Sequence, residues 1–225
     1  MNQAHRFLLW AVLGCFVLIA GVFIWSQVYE AQTHFLAGTH PRIDAPKTAS
    51  PTLPPLHPSD PSRGSKDTHA ITIVEFADYD CLYCRLIQSE LASAIQASKQ
   101  PVRFIWRDLP IPNGRPDGLV AALAARCAGD QGKFWDLHDK LFQLTTLDLA
   151  SIKNAAQTLS LEMGAFNSCI TSGKYLSAIE QDVQDAKAHN INAAPTLFIG
   201  TDVISGYADA NELTQVIHWA SPSSP

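Results

Sequence analysis

Two cysteines separated by two residues, Cys81-Leu82-Tyr83-Cys84, are the part of this 225-residue chain best suited to do chemistry. At the start of a helix, backbone N–H groups and the helix dipole favour a thiolate, the form in which sulfur is a nucleophile or a metal ligand. A pair at i and i+3 can also close a disulfide, so that one sulfur attacks while the other resolves. Zinc uses the same spacing, but a four-ligand site needs a second cluster, and the sequence has neither another CxxC nor an HxxxH. Cys127 and Cys169 remain as distant further ligands. A tethered module that holds a soft metal such as Cu(I) or Zn on the CxxC, without turnover, therefore stays open as an alternative. None of the eight histidines has metal-ligand spacing, and no Gly-rich phosphate loop or GxSxG elbow is present.

For Cys81 to stand at a helix start, a strand has to deliver it there. Residues 71–76 alternate and are β-branched, which predicts that strand, while Leu86, Ile87, Leu91, Ala94 and Ile95 form one helical face within 82–98. Residues 102–106 predict a second strand. Three helical stripes follow: Leu119, Val120, Leu123, Ala124 and Cys127; Leu149, Ile152, Ala156 and Leu159; Leu176, Ile179, Val183 and Ala186. After Pro195, runs at 196–199 and 203–205 flank Gly200-Thr201-Asp202 and predict a hairpin; Asp209 with Glu212 then caps a last helix. The order β-α-β, helices, β-β-α predicts an α/β sandwich with a helical insertion at about 117–190. Arg107-Asp108 reads as a local ion pair at a strand end, and Phe76, Tyr79, Leu82 and Tyr83 as an apolar rim around the cysteines, with Phe76 equally a core residue.

The rest of the chain suggests where this domain works. Hydrophobic residues are 47% and charged ones 16%, which excludes a disordered chain, and a net charge of −5 disfavours nucleic acid. From Phe7 to Trp25 nineteen residues carry no charge. As a helix they would extend ~28 Å, close to the apolar thickness of a bilayer, so residues 1–28 are expected to form a membrane anchor. A cleaved signal peptide is the alternative, but no convincing small-x-small cleavage site follows. Arg6 precedes the apolar run and no Lys or Arg follows it until Arg42, which orients the bulk of the chain outside the cytoplasm. Between Thr39 and Thr68 lie seven of the fourteen prolines, so residues 29–68 are expected to be an extended linker before a folded domain at 69–221.

Four segments, in order, resemble the DsbA-like family of thioredoxin-fold thiol-disulfide oxidoreductases: Ile73 to Cys84, Phe104 to Pro110, Ala125 to Trp135, and Ala194 to Gly200. The resemblance spans nearly all of 69–220. It implies a thioredoxin fold with an inserted helical subdomain, preceded here by the single transmembrane helix and the Pro-rich linker. It also implies that a redox-active disulfide, Cys81–Cys84, does the chemistry with no other cofactor and no metal. By the same resemblance Cys81 is the exposed nucleophile, Cys84 the buried resolving thiol, and Glu75 the buried acid that takes a proton from Cys84. Pro195 would be a cis-proline beside them, with Ala194 aligning an extended substrate peptide. Leu82 and Tyr83 depart from the family pattern, in which proline and histidine are frequent; lacking that histidine, the pair should be less oxidising than the strongest members. With an extracytoplasmic domain and a self-paired CxxC, Cys127 and Cys169 are left for each other as a structural disulfide, or remain ordinary packing cysteines. The expected partners are unfolded or reduced protein substrates and a membrane or soluble redox partner that recharges the site, with no nucleic acid. An oxidase is favoured over a reductase or isomerase, and the expected location is a single pass in the inner membrane with the catalytic domain on the periplasmic side.

Overall fold

A computed structural model describes residues 52–111 and 117–220. The expected anchor, Phe7 to Trp25, lies outside the described residues; among the described residues no helix is long and apolar enough to cross a membrane. Strand β1 (Ser62–Gly64) is followed by β2 (Ile71–Ala77), helix α1 (Leu82–Ser98) and β3 (Val102–Asp108). Five inserted helices come next: α2 (Asp117–Gly129), α3 (Phe134–Leu141), α4 (Leu149–Thr158), α5 (Met163–Ser172) and α6 (Leu176–Ala188). The chain closes with β4 (Thr196–Ile199), β5 (Asp202–Ser205) and α7 (Ala210–Trp219).

The sheet order is β1-β3-β2-β4-β5, with β2 and β3 parallel and every other neighbour antiparallel. A parallel pair needs a crossover, and α1 provides it. Because β2 is central, its residues are buried on both faces. Ile73 and Ala77 face the main core with Ile87, Leu91 and Ala94 of α1, whereas Val74 and Phe76 face a second cluster with Ile105, Phe198 and Ala186 of α6. Removing each large side chain of this kind from water contributes roughly 1.5–3 kcal/mol, which fixes the strand's register and hence the direction of Glu75.

Three expectations need correction. The linker does not extend to residue 68: Leu53 packs on the second cluster, and β1 pairs antiparallel with β3. Pro61 stands immediately before that strand without entering it, as an edge position permits. Gly64 ends it with φ +96, and a Cβ there would lie 2.4 Å from the Val102 carbonyl oxygen, so the turn away from the sheet requires glycine. Helix α2 has no single apolar stripe; Ala121, Ala122, Ala124, Ala125 and Ala128 are all buried, while Leu119 is exposed. Small side chains let neighbouring elements approach it on nearly every side. Finally, Arg107 and Asp108 do not pair with each other. Arg107 binds Asp182 and Asp185 of α6, and Asp108 binds Arg126 of α2; all but the partly exposed Asp185 are buried. Successive strand residues point to opposite faces, which separates the two.

Candidate active site

β2 ends at Ala77, and Asp78-Tyr79-Asp80 turns the chain into α1 with Cys81 as its N-cap. The Cys81 amide donates to the Asp78 carbonyl at 3.1 Å, and its Sγ accepts from the Cys84 N–H at 3.2 Å. A sulfur thus fills the capping role usually taken by a side-chain oxygen. Cys81 is half-buried, Cys84 is fully buried, and both are free thiols. Hydrogen bonding from the Cys84 thiol pulls the Cys81 pKa down to about 7; burial opposes this, the N–H groups of Cys84 and Tyr83 assist, and the charge of Asp78 resists. Cys84 moves the opposite way, well above the usual thiol range, first through burial and then through its bond to Cys81. One sulfur is therefore ready to attack near neutral pH while the other holds its proton.

The loop before β4 meets this thiol from the other side. The Cys81 thiol donates to the Ala194 carbonyl at 3.5 Å, and the Ala194–Pro195 bond is cis. The carbonyl of Pro195 accepts from the Gly206 N–H at 2.8 Å, tying the loop to the chain beyond β5. Leu82 is 63% exposed and Tyr83 44%, so these two do form an apolar rim, and Leu86 extends it along α1. Tyr79 and Phe76 do not belong to it. Tyr79 is buried against Trp106 and Phe142 and bonds to His138 Nδ1 at 2.8 Å, while Phe76 lies in the second cluster against Phe198.

Glu75 points to the α1 face and is completely buried, opposite Trp106 on one side and Leu197 on the other. Its carboxylate accepts from Gln88 Nε2 at 2.9 and 3.1 Å. Burial raises its pKa to about 8, against the smaller opposing pull of Gln88. An acid tuned in this way exchanges a proton near neutral pH, as a buried thiol that must ionise requires.

Cys127 and Cys169 are joined, with Cα atoms 5.8 Å apart, and link α2 to α5 within the insertion. The four-cysteine zinc arrangement is thereby overturned, and no group of three or more potential metal ligands occurs among the described residues. Sequence reasoning missed two side chains here. Gln88 lies four residues after Cys84, the spacing that puts both on one helical face, so it was findable. Asp78 binds the N–H groups of Asp80 and Ile111 and packs so closely on Gly118 that a Cβ there would fall 2.1 Å from Oδ1. Its link to α2 leaves no local pattern.

A pair of thiols at a helix start, the first in contact with the loop before β4, belongs to the class of proteins built for thiol-disulfide exchange. The family model described as thioredoxin matches residues 57–218, and the chain belongs to that family, in its DsbA-like branch of thiol-disulfide oxidoreductases. Wolbachia pipientis alpha-DsbA1 is 25% identical, with a TM-score of 0.63 over 73% of this chain and 92% of that one. A periplasmic thioredoxin-like protein from Salmonella enterica serovar Typhimurium is 25% identical, with a TM-score of 0.58 over 72% and 89%. The curated relative Na(+)/H(+) antiporter NhaA 1 of Salinispora arenicola is 31% identical over 147 residues, 64% of this chain. The chain spans only 22% of that relative's length.

Proposed function

We propose that this chain is a membrane-anchored, extracytoplasmic oxidase that passes the Cys81–Cys84 disulfide to reduced, unfolded proteins. The observation that carries the reading is the N-cap sulfur of Cys81, its pKa lowered to about 7, beside a buried Cys84. A substrate thiolate attacks Cys81 Sγ, the Cys81–Cys84 bond breaks, and Cys84 leaves as a thiolate that takes a proton from Glu75. A second substrate thiol loses its proton and attacks the substrate sulfur of the mixed disulfide, which forms the substrate disulfide and releases Cys81 as a thiolate. Two electrons now reside on the enzyme, and a redox partner removes them. Stabilising the departing Cys81 thiolate stabilises the reduced enzyme and drives the disulfide toward substrate. That stabilisation comes from Cys84 and backbone N–H groups, with no histidine between the cysteines, so the driving force is smaller than in members that have one. Exposed Leu82, Tyr83 and Leu86 suit the apolar segments of an unfolded chain, with the Ala194-Pro195 loop offering backbone for β-addition. The uncharged run from Phe7 to Trp25 supports the anchor, and the periplasmic relative supports the compartment.

The oxidised protein should form disulfides in a reduced, denatured substrate, and Cys84→Ser should accumulate substrate joined to Cys81. Failure of the oxidised protein to oxidise such a substrate, together with efficient insulin reduction by the dithiol form, would favour the reductase reading.

A further inference from the structure

We infer that Gln88 is the positioning residue of the Cys84 proton acceptor: it clamps both oxygens of Glu75 and connects that buried carboxylate with solvent. This rests on the proposed exchange chemistry at the same site.

The geometry is compact. Gln88 Nε2 lies 2.9 and 3.1 Å from the two Glu75 oxygens and 3.1 Å from the carbonyl of Cys84. One NH₂ group has two hydrogens for these three acceptors, so it can exchange partners without leaving the site. Glu75 is enclosed on every other side, whereas Gln88 is half-buried and lines a groove of 670 Å³ together with Arg63, Arg85, Phe142 and Gln143. A proton passed from Cys84 to Glu75 leaves a Cys84 thiolate and a neutral acid. That is the recharging half of the cycle, and it restores the neutral acid from which Cys84 takes its proton in the oxidase step; when the carboxyl exchanges its proton with water instead, the Gln88 side chain stands between it and the groove.

The charged and titratable groups that face Glu75 come from three segments: Cys81 and Cys84 at the start of α1, Tyr79 on the preceding turn, and Arg63 of β1. Arg63 is held by both oxygens of Asp139 at 3.0 Å and stacks 4.4 Å above Trp135. It exerts a steady positive field on Glu75 but is not bonded to it. Gln88 makes the direct contact, and donation to a carboxylate favours its ionised form.

The test is a ¹³C NMR titration of the Glu75 carboxyl carbon in the reduced full chain, for wild type, Gln88→Met and Gln88→Lys. Met keeps the length and removes the donors, so the Glu75 midpoint should rise by about one pH unit, a tenfold change in the ionisation equilibrium. Lys keeps a donor and adds a positive charge, so the midpoint should fall by at least as much. Midpoints that stay at the wild-type value in both folded variants, or that move in the same direction, would overturn the assignment. Release of a small thiol from a Cys81 mixed disulfide, followed against pH, should track the same midpoints. If the carboxyl shifts as expected but no thiol is ever released, Gln88 stands as the positioning residue and the exchange reading is the one that fails.

Discussion

Glu75 and Asp108 are both buried acids on adjacent parallel strands, yet their surroundings differ in kind. Asp108 belongs to a network in which Arg126 Nε reaches it at 2.5 Å, Trp106 Nε1 at 2.7 Å, and Arg126 and Arg107 both bind Asp182 at 2.5 Å. Asp185 adds a contact to Arg107 at 2.5 Å, and Asp60 one at 3.6 Å. Each guanidinium faces several carboxylates, and the groups come from β3, α2, α6 and the segment before β1. Glu75 has a neutral amide. The network ties elements together: burial and then Asp108 lift Asp182 to about 6, and its two bonded arginines oppose that rise; Glu75 has no cation bonded to it, and burial takes its pKa to about 8. Burial alone therefore does not mark function. An acid that is buried with no cation bonded to it does.

Changes on either side of this contrast should separate the two roles. The largest effect is expected from Glu75→Gln, an amide that keeps the shape and removes the charge. A folded-state pKa raised from 4.5 to about 8 means that the native state binds the proton more tightly than the unfolded chain does. Its stabilising contribution is complete below pH ~4.5 and is lost as pH rises through about 8. At pH 9 Glu75→Gln should therefore be more stable than wild type by up to about 5 kcal/mol in urea unfolding, with no gain at pH 4. A stability difference independent of pH would mean that Glu75 is not the buried acid described. The same variant should slow resolution of the Cys81 mixed disulfide near neutral pH.

Removing the Cys127–Cys169 bridge, which closes 42 residues of separation, should cost ~4 kcal/mol in the loop-entropy model. Thiol exchange at Cys81 should survive in the folded fraction, because the bridge lies inside the insertion. Arg107→Met should destabilise by at least ~3 kcal/mol, since Asp182 and Asp185 would lose a cation, while leaving the Cys81 titration unchanged. A displaced Cys81 midpoint would show that the network and the site are coupled. The smallest effect is expected from Gly118→Ala. Its Cβ would press on Asp78, costing ~1–3 kcal/mol and disturbing the turn that leads to Cys81.

Sequence reasoning reached the parts of this molecule that local pattern controls. The CxxC falls between a β-branched run and an apolar helical face, and Asp209 caps α7 through the N–H groups of Asn211 and Glu212. The hairpin forms at 196–205, but Asp202 pairs with Ile199, so Gly200-Thr201 alone makes the turn. What could not be read depends on distant partners. β1 is three residues, Ser-Arg-Gly, with no apolar signal, and only the open edge of β3 makes it a strand. Arg107 and Asp182 are 75 positions apart, so adjacency in sequence favoured the wrong pairing with Asp108. Alternation placed Glu75 with Ile73 and Ala77, but which face of the sheet α1 covers was settled only by the crossover. Leu119, Leu149 and Leu176 fit helical stripes and yet lie exposed near their helix starts, where the first turn reaches past the core.

In the proposed cycle Cys81 and Cys84 form a two-electron couple in which Cys81 exchanges disulfides. It is tested most directly by equilibrating the protein across a series of glutathione redox buffers, trapping free thiols with a mass label and locating the label by peptide. One cooperative two-electron transition is expected, confined to the peptide that carries Cys81 and Cys84, with Cys127–Cys169 oxidised throughout. A transition in the Cys127–Cys169 pair instead, or cysteines 81 and 84 that stay labelled in every buffer, would contradict it.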